Sequence, residues 1–197
     1  PLAYYGINEV MQYFIPDACN AIKDSVDFSQ YDQDGDGNVD LVYVIYAGYS
    51  ETWAPNSSEC LWPKSGIVYP NNTYNNKNVR RYGICNELQA YPGAFTKAPF
   101  KRCNGIGLFC HEFSHCIGLP DIYCTLSNSS STNMNIIKTN QTLEYWDLMD
   151  GGEYCDNGYR PCTYSSWERE ALGWMNIDTL KSSQEVALKP VQEGGTA

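Results

Sequence analysis

Apolar residues recur at the three-to-four-residue spacing of an α-helix in separate stretches of the chain. This spacing predicts helices over about residues 7–22, 109–117 and 164–172. Pro16 is expected to end or kink the first helix, because proline lacks the backbone N–H that a helix interior needs. Gly118 and Pro120 are expected to end the second helix. Thr163 or Ser165 supplies the cap that begins the third.

β-Branched and aromatic residues mark the predicted strands. Residues 41–47 (Leu-Val-Tyr-Val-Ile-Tyr-Ala) form a continuous apolar run, which predicts a buried strand that ends at Gly48. A second short strand is expected over residues 81–88. The intervening residues 50–80 are rich in Ser, Asn, Pro and Tyr, so we expect them to form a long surface excursion.

The length of the chain limits the number of domains. Its 197 residues suffice for one well-buried domain and hardly for two. Near the C-terminus the pattern becomes strand-like, with apolar residues at Val186, Leu188 and Val191. We therefore expect residues 1–175 to form the main domain, truncated at its N-terminal edge, and residues 176–197 to be the incomplete start of a following β-rich region.

The charge balance argues against a nucleic-acid partner, and the lack of long apolar runs argues against a membrane span. Acidic residues outnumber basic ones, 23 to 13, so the formal net charge is −10. Apart from Arg80-Arg81 the sequence has no basic cluster, and a nucleic-acid surface needs a positive face to bind phosphate. No apolar run approaches the roughly 20 residues that a membrane-spanning helix requires. We therefore expect neither a nucleic-acid partner nor a membrane span.

The chain contains nine cysteines, a high number for a protein of a reducing compartment. This number favours a secreted protein, or one exported to the cell surface or the periplasm. Because nine is odd, at most four disulfides can form within the chain and one thiol is left over. Cys155 and Cys162 are a candidate local pair, and the other pairings stay open.

The two histidines of the chain, His111 and His115, lie four residues apart in the second predicted helix. Residues at this spacing share one helix face, so both imidazoles can direct a nitrogen at the same ion. Two such nitrogens suit Zn²⁺. Glu112 projects beside the ion, where a carboxylate can take a proton from a bound water molecule. The pattern therefore predicts a catalytic zinc site with Glu112 as the general base.

The chain is expected to return to the zinc ion just after this helix, because Gly118 can adopt a positive φ and Pro120 stiffens the turn that follows. Asp121 arrives ten residues after His111, where its carboxylate can be the third ligand. No third histidine exists, so the site requires an oxygen ligand. Three protein ligands leave a fourth position for water, as in catalytic zinc sites. The alternative third ligand is a later glutamate: Glu144, Glu153, Glu168 or Glu170.

A second cluster of oxygen ligands, the acidic loop of residues 32–40, precedes the first predicted strand. Its side chains match alternate positions of a calcium-binding loop, namely Asp32, Asp34, Asp36, Asn38 and Asp40. Gly37 occupies the position where such a loop turns sharply, although Tyr43 stands where a bidentate glutamate is usual. Carboxylates this close repel one another without a cation, so we expect a structural Ca²⁺. A solvated acidic loop is the alternative.

These motifs resemble those of known zinc peptidases. The segment from His111 to Asp121 resembles the extended signature of metzincin-type peptidases, with aspartate in place of the usual last histidine. Residues 144–152 (Glu-Tyr-Trp-Asp-Leu-Met-Asp-Gly-Gly) look like the Met-turn that lies beneath the zinc in that clan. With the acidic loop and the segment Trp167–Trp174, the chain is similar over roughly residues 25–175 to the immune inhibitor A family of secreted bacterial metallopeptidases.

The resemblance implies an α+β, metzincin-like zincin fold for residues 1–175, with a twisted mixed sheet, an active-site helix and a Met-turn at Met149. It also implies a precursor with a pro-segment and C-terminal domains outside this sequence. Tyr154 follows the Met-turn closely and is a candidate donor to the oxyanion of the transition state. An ordinary structural tyrosine is the alternative for this residue.

The sequence therefore predicts a secreted zinc-dependent endopeptidase that cleaves peptide bonds in proteins or peptides. One alternative is a calcium- and zinc-stabilised binding or adhesion module that does not use its catalytic outline. Another is a latent precursor fragment, held inactive by a missing pro-segment through the unpaired cysteine. The enzyme is favoured because Glu112 accompanies both histidines, and an unused site has no need of it.

Overall fold

The computed structural model describes residues 10–51, 60–89, 102–123, 143–190 and 193. The chain divides into two compact units, Pro1–Gly105 and Ile106–Ala197. Helices and a mixed sheet are both present, which confirms the predicted α+β class. Within the described ranges, no helix has the length and apolar character needed to cross a membrane.

The first unit begins its described part with helix α1, Val10–Ile22. One side of the helix is buried through Val10, Met11, Ile15 and Cys19. The helix does not end at Pro16, because buried residues on both sides of the proline keep this face in the core. The carbonyl oxygen of Pro16 accepts a hydrogen bond from the Tyr74 hydroxyl at 3.1 Å. Residues 7–9 of the predicted helix lie outside the described residues.

In the described part of this unit the sheet consists of β1 (Val42–Tyr46), β2 (Lys64–Tyr74) and β3 (Lys77–Asn86). Strand β3 lies in the middle, parallel to β1 and antiparallel to β2. Asn75 and Asn76 form the turn between β2 and β3 with positive φ, which asparagine tolerates better than most residues. A 3₁₀ helix, Phe28–Tyr31, precedes the acidic loop. The predicted strand over residues 41–47 is confirmed as β1, but its predicted burial is wrong for most of its length, since only Tyr46 is buried and Ile45 is 63% exposed.

The hairpin of β2 and β3 contradicts the predicted surface excursion over residues 50–80. Residues 64–74 and 77–80 of that stretch are strands, while residues 52–59 lie outside the described part. The strands bury apolar side chains despite their many polar residues, notably Val68, Tyr74 and Val79. A register shift between Ile67 and Asn72 interrupts the alternation of apolar and polar residues, which hides β2 in the sequence.

The core of the first unit lies between α1 and the sheet, since α1 packs against β2 and β1. The apolar side chains most deeply buried in it are Ile15, Leu61, Val68, Val79 and Ile84. Tyr46 fixes the segment before β2 by donating its hydroxyl to the Leu61 carbonyl oxygen at 2.7 Å. The acidic loop belongs to this unit and leads directly into β1.

The second unit contains helix α2 (Ile106–Cys116), a 3₁₀ helix (Glu144–Trp146), the strap (Gly151–Gly158) and helix α3 (Ser166–Ala171). The predicted helices over residues 109–117 and 164–172 are confirmed as α2 and α3. Of the two predicted caps of α3 the structure uses Ser165, which exchanges hydrogen bonds with Glu168 in a capping box.

Helix α2 and the strap pack against each other. At Gly107 the two backbones approach so closely that a methyl group would overlap the carbonyl oxygen of Glu153. This contact therefore requires glycine at position 107. Beyond α3, residues 175–190 contain no helix or strand, and Val191 lies outside the described residues. A β-rich region that starts near residue 176 stays a prediction.

The described cysteines form no disulfide. The thiols of Cys155 and Cys162 donate instead to the carbonyl oxygens of Tyr145 and Trp146, at 3.6 and 3.1 Å. The predicted local pair is therefore not bonded in this structure, because each sulfur is engaged by a backbone acceptor. Cys124 lies outside the described residues.

Candidate metal centre

The two histidines of α2 point at a single carboxylate. His111 Nε2 lies 3.2 Å from Oδ1 of Asp121, and His115 Nε2 lies 3.1 Å from the same oxygen. The imidazole rings meet edge to face with centroids 4.8 Å apart. Ligand atoms of all three residues, which we call the trio, lie within 4.8 Å of one another. The structure thus brings together the three residues predicted as zinc ligands.

The outer nitrogen of each imidazole is fixed by the backbone. Nδ1 of His111 lies 3.0 Å from the carbonyl oxygen of Leu148. Nδ1 of His115 lies 2.8 Å from the carbonyl oxygen of Leu119. Because a carbonyl oxygen only accepts hydrogen bonds, each Nδ1 must carry the proton and donate it. A neutral ring in this tautomer keeps its lone pair on Nε2, the atom that faces the centre of the trio.

Asp121 reaches the histidines through the turn that follows α2. Gly118 has a φ of 108°, a conformation that glycine adopts without strain. Its N–H donates to the His115 carbonyl oxygen at 3.1 Å, and the next N–H donates to the Ser114 carbonyl oxygen at 3.0 Å. These two bonds form a Schellman motif, which ends the helix and reverses the chain. The turn expected at Gly118 is therefore present.

The trio fits a cation. With the neutral tautomer on both rings, two nitrogen lone pairs face the buried Oδ1 of Asp121, so three acceptor atoms converge without a donor from the described residues until a cation or a further proton is bound. Without a metal, burial lowers the pKa of His111, but the bond to Asp121 and the charge of Glu153 outweigh burial and raise it to about 9. Burial raises the pKa of Asp121, yet the two imidazoles hold it well below its usual value. A divalent cation would satisfy the same three atoms.

Glu112 stands beside the trio on α2 and is 6% exposed. Burial raises the pKa of its carboxyl group to about 7, against the opposing influence of His111 and His115. A carboxyl group with a pKa near neutrality can both accept and release a proton at neutral pH. The general-base role of Glu112 stays a prediction, with which its burial beside the trio is compatible.

Glu153, one of the alternative ligands, lies on the far side of His111 from Asp121. Its Oε2 is 3.9 Å from His111 Nδ1, the nitrogen that faces away from the centre of the trio. This oxygen is buried without a hydrogen-bond partner among described residues, and burial raises the pKa of the carboxyl group. Glu153 therefore borders the imidazole from behind and does not join the trio.

Two tyrosines border the site. The hydroxyl of Tyr154 interacts with Glu153, and desolvation and the charge of that carboxylate raise the pKa of the phenol. Tyr123 stacks on His111 with ring centroids 6.3 Å apart, and burial and the nearby Asp121 raise its pKa to about 12. Both hydroxyls are protonated at neutral pH and can donate. Sequence reasoning missed Tyr123, because nothing distinguishes it among 16 tyrosines.

The sequence matches the model of a known protein family, which identifies the kind of domain. The model describes the catalytic domain of immune inhibitor A peptidase M6, and it matches residues 8–175. The chain belongs to the immune inhibitor A peptidase M6 family. The match confirms the resemblance that the motifs indicate, and it makes this M6 chain a peptidase domain.

Curated relatives of the M6 domain support the same conclusion. Pre-pro-metalloprotease PrtV of Vibrio cholerae serotype O1, from strains M66-2 and ATCC 39315, is 24% identical over 187 residues, covering 82% of this chain and 18% of the relative. Immune inhibitor A of Bacillus thuringiensis subsp. alesti is 24% identical over 170 residues, covering 76% and 23%. The chain spans about a fifth of the length of these relatives. Together, family and relatives support a metallopeptidase.

Of the other three glutamates considered as the third ligand, two accept hydrogen bonds elsewhere and one is exposed. Glu168 accepts a hydrogen bond from the backbone N–H of Ser165, and Glu170 accepts one from that of Ile177. Glu144 is exposed. Among the described residues, the group that converges on the imidazole nitrogens contains Asp121 and none of these glutamates. The geometry therefore favours Asp121 as the third ligand.

The acidic loop forms a second group of converging ligand atoms. They belong to three of the five predicted residues, Asp32, Asp34 and Asp40. The N–H of Gly37 donates to Asp32 Oδ2 at 3.1 Å and closes the loop. The other two predicted ligands bond to each other, since Asn38 donates its backbone N–H and its amide to the two carboxylate oxygens of Asp36, at 2.7 and 2.9 Å.

A lysine that sequence reasoning missed neutralises part of this loop. Lys77 Nζ lies 2.5 Å from Asp32 Oδ2, and this bond holds the pKa of Asp32 below its usual value. The other oxygen, Asp32 Oδ1, is buried without a partner among the described residues. A bridge between Asn38 and Asn78 fixes the loop to the start of β3 and brings the lysine into reach.

Proposed function

We propose that this M6 domain is the catalytic domain of a zinc-dependent endopeptidase. The zinc ligands are His111, His115 and Asp121, and Glu112 is the general base. The observation that carries the proposal is the convergence of two Nε2 atoms and Oδ1 on one point, with each Nδ1 bound to a carbonyl oxygen. Family membership supports the peptidase activity.

Zinc suits this set of donors better than the other common divalent ions. Imidazole nitrogen and carboxylate oxygen are typical zinc ligands, whereas Ca²⁺ and Mg²⁺ prefer oxygen alone. Three protein ligands leave one position for solvent or substrate. When bound, zinc acidifies water and polarises the carbonyl group of a peptide bond.

The residues of the chain itself carry the proton transfers. Glu112 accepts a proton from the attacking water and later delivers it to the amide nitrogen of the leaving segment. Its burial supports this role, since it raises the pKa toward neutrality. Tyr154 and Tyr123 are two donors for the carbonyl oxygen on which negative charge develops, because both border the trio with protonated hydroxyls.

The turn at Met149 supports a metzincin-like zincin fold for residues 1–175. Met149 is fully buried, and its carbonyl oxygen accepts the N–H of Ile122, next to Asp121, at 3.0 Å. The preceding carbonyl, of Leu148, orients His111. In this proposal Met149 is the Met-turn methionine and provides a packing floor for the site, not a chemical group.

We also propose a structural Ca²⁺ in the acidic loop. Hard carboxylate oxygens of Asp32, Asp34 and Asp40 converge there, and Oδ1 of Asp32 is buried without a partner among described residues. Asp36 and Asn38 would exchange their mutual hydrogen bonds for the ion.

The proposed substrates are proteins or peptides, and the proposed location is outside the cytoplasm. The nine cysteines support export, and one relative is named as a pre-pro-metalloprotease. Because the relatives are several times longer than this chain, a pro-segment and C-terminal domains are proposed for the whole protein, with residues 176–197 leading into the latter.

Glu112→Gln tests the general base. We expect the rate of casein hydrolysis to fall by roughly 10²–10⁴-fold in the variant, because glutamine cannot accept the proton. Zinc content, measured by atomic emission, should stay near one ion per chain, and Glu170→Gln, an exposed substitution, should change neither quantity. Activity retained in Glu112→Gln would refute the base. If the wild-type chain binds zinc but shows no hydrolysis that a chelator inhibits, the alternative of a non-catalytic binding module is favoured.

A further inference from the structure

Two carboxyl groups are completely buried in the second unit, away from the trio. Asp147 precedes the strap, and Glu168 lies in the first turn of α3; both residues are 0% exposed. The proposed mechanism uses neither of them. A buried carboxylate is costly unless donors or a cation compensate its charge, so their surroundings decide their protonation.

The donors around the pair are backbone groups and one hydroxyl. Asp147 Oδ1 accepts the N–H of Met149 at 2.8 Å, and its Oδ2 accepts the N–H of Ser165 at 3.2 Å. Glu168 Oε2 accepts the same N–H at 2.8 Å and the Ser165 hydroxyl at 2.9 Å. The two carboxyl groups therefore meet at one shared N–H.

One oxygen of the pair is left without a donor. Glu168 Oε1 is buried and receives no hydrogen bond from a described residue, while the other oxygen of this carboxyl group and Oδ2 of Asp147 both lie within hydrogen-bonding distance of the Ser165 N–H. Among the described residues no cation forms an ion pair with either carboxyl group, and the guanidinium of the adjacent Arg169 donates to Thr163 Oγ1 at 2.5 Å. The other titratable groups that face the pair, Tyr164 and Cys162, are neutral at neutral pH because burial raises their pKa values. A proton on Glu168, donated to Asp147, satisfies every oxygen.

The pair also reaches the trio through the backbone. Asp147 holds the N–H of Met149 and so fixes the orientation of the preceding peptide group, whose carbonyl belongs to Leu148. That carbonyl accepts Nδ1–H of His111 at 3.0 Å. The carbonyl of Met149 accepts the N–H of Ile122 at 3.0 Å, the residue next to Asp121. One turn therefore orients two of the three proposed ligands.

We propose that Asp147 and Glu168 share a single proton, and that this carboxyl pair is a positioning device that holds the turn of residues 147–149 against His111. The positioning role rests on the proposed zinc site, whereas the shared proton does not. Neither residue touches the reacting atoms, so neither is a catalytic residue.

The shared proton makes stability depend on pH. Burial and then the bond to Asp147 raise the pKa of Glu168 from its usual 4.5 to about 7. Between these values the folded chain holds a proton that the unfolded chain has lost, so stability falls as pH rises from about 4.5 to 7 and stays lower above that range. Loss of the proton also sets two negative charges against each other beside the turn.

Glu168→Gln in the full chain tests the shared proton. Its amide keeps a donor toward Asp147 and an acceptor toward Ser165 but cannot ionise. The unfolding midpoints of wild type and variant are measured from about pH 5 to pH 8 with a chelator present. Over this range we expect the midpoint of the wild type to fall by roughly 5 °C more than that of the variant. Asp147→Asn supplies a donor from the other side and should flatten the pH dependence in the same way. Glu170→Gln, on the exposed side of α3, should leave it unchanged.

Zinc affinity tests the positioning role. Competition with a chromogenic chelator measures the zinc dissociation constant of each protein. The constant of the wild type, divided by that of Glu168→Gln, should rise by about tenfold as the pH rises from about 5 to 8. Parallel unfolding curves for the wild type and both variants would overturn the shared proton. A flattened unfolding curve with a constant ratio of zinc constants would overturn the positioning role. Failure of the wild type to bind zinc would refute the proposed function and leave the unfolding test of the proton intact.

Discussion

The trio on α2 and the acidic loop both gather ligand atoms, but they do so in opposite ways. In the trio, a backbone carbonyl outside the ligand set fixes the outer nitrogen of each imidazole. In the acidic loop, carboxylates are held by N–H groups of the loop itself, as between Gly37 and Asp32. In the trio His111 is buried and the other two residues are half-buried, whereas Asp34, Asp36 and Asp40 of the loop are exposed.

This difference indicates how strongly each site depends on the rest of the fold. The bond from His111 to Leu148 spans 37 residues, whereas the bond from Gly37 to Asp32 spans five. The trio therefore needs tertiary structure to be aligned before an ion arrives. The loop can form locally, and charge repulsion makes a cation useful to it. Lys77 is the long-range exception in the loop.

The largest effect is expected from Asp121→Asn. Replacing the carboxylate by a neutral amide should weaken zinc binding by at least about tenfold, because the site loses its anionic ligand. Competition with a chromogenic chelator measures the change. Asp34→Asn in the acidic loop is the matched control and should leave zinc affinity as it is. Unchanged zinc affinity in Asp121→Asn would instead favour a glutamate as the third ligand, with Glu153→Gln as the next variant to measure.

A smaller effect is expected when calcium is added to the metal-free chain. At a hundredfold excess over its dissociation constant, calcium should raise the unfolding midpoint by roughly 5–10 °C, because it binds the folded loop alone. Differential scanning calorimetry measures the shift, and Asp34→Asn should reduce it. The same shift in wild type and variant would mean that calcium acts elsewhere, and the absence of any shift would leave the loop a solvated acidic segment.

The smallest effect is expected from Lys77→Met, which tests whether the lysine compensates for a missing ion. Without calcium the variant should unfold at a lower temperature than the wild type, because Asp32 loses its ammonium partner. With calcium the difference should shrink, so the calcium-induced shift is larger in the variant. Lys64→Met in β2 serves as the control lysine. Equal shifts in wild type and Lys77→Met would separate the lysine from the calcium site.

Local chemistry made part of the site predictable. Histidines four residues apart must share a face of a helix, and Gly118 could be recognised as the point where the chain turns back. Ser165 with Glu168 three residues later is likewise a local signal for the start of α3. These features depend on spacing within one or two turns, which the sequence displays directly.

Long-range contacts were not predictable in this way. No spacing rule links Leu148 to His111 or Lys77 to Asp32, because the fold brings these residues together across 37 and 45 positions. The hairpin of β2 and β3 was not predicted from the sequence for a related reason. Its pairing compensates for polar composition, and the register shift near Ile67 breaks the alternation by which a strand is recognised.

At Gly107 the backbone of α2 touches the backbone of the strap with nothing between them to compress. Side chains can yield by rotating, but here a change in the spacing between the helix and the strap requires the backbone itself to move. In the proposed enzyme, we therefore expect a bound peptide to be accommodated without movement of His111 relative to Glu153. We expect adaptation to different peptides to come from rotation of side chains such as Tyr123 and Tyr154, while the backbone beneath the proposed zinc ligands stays in place.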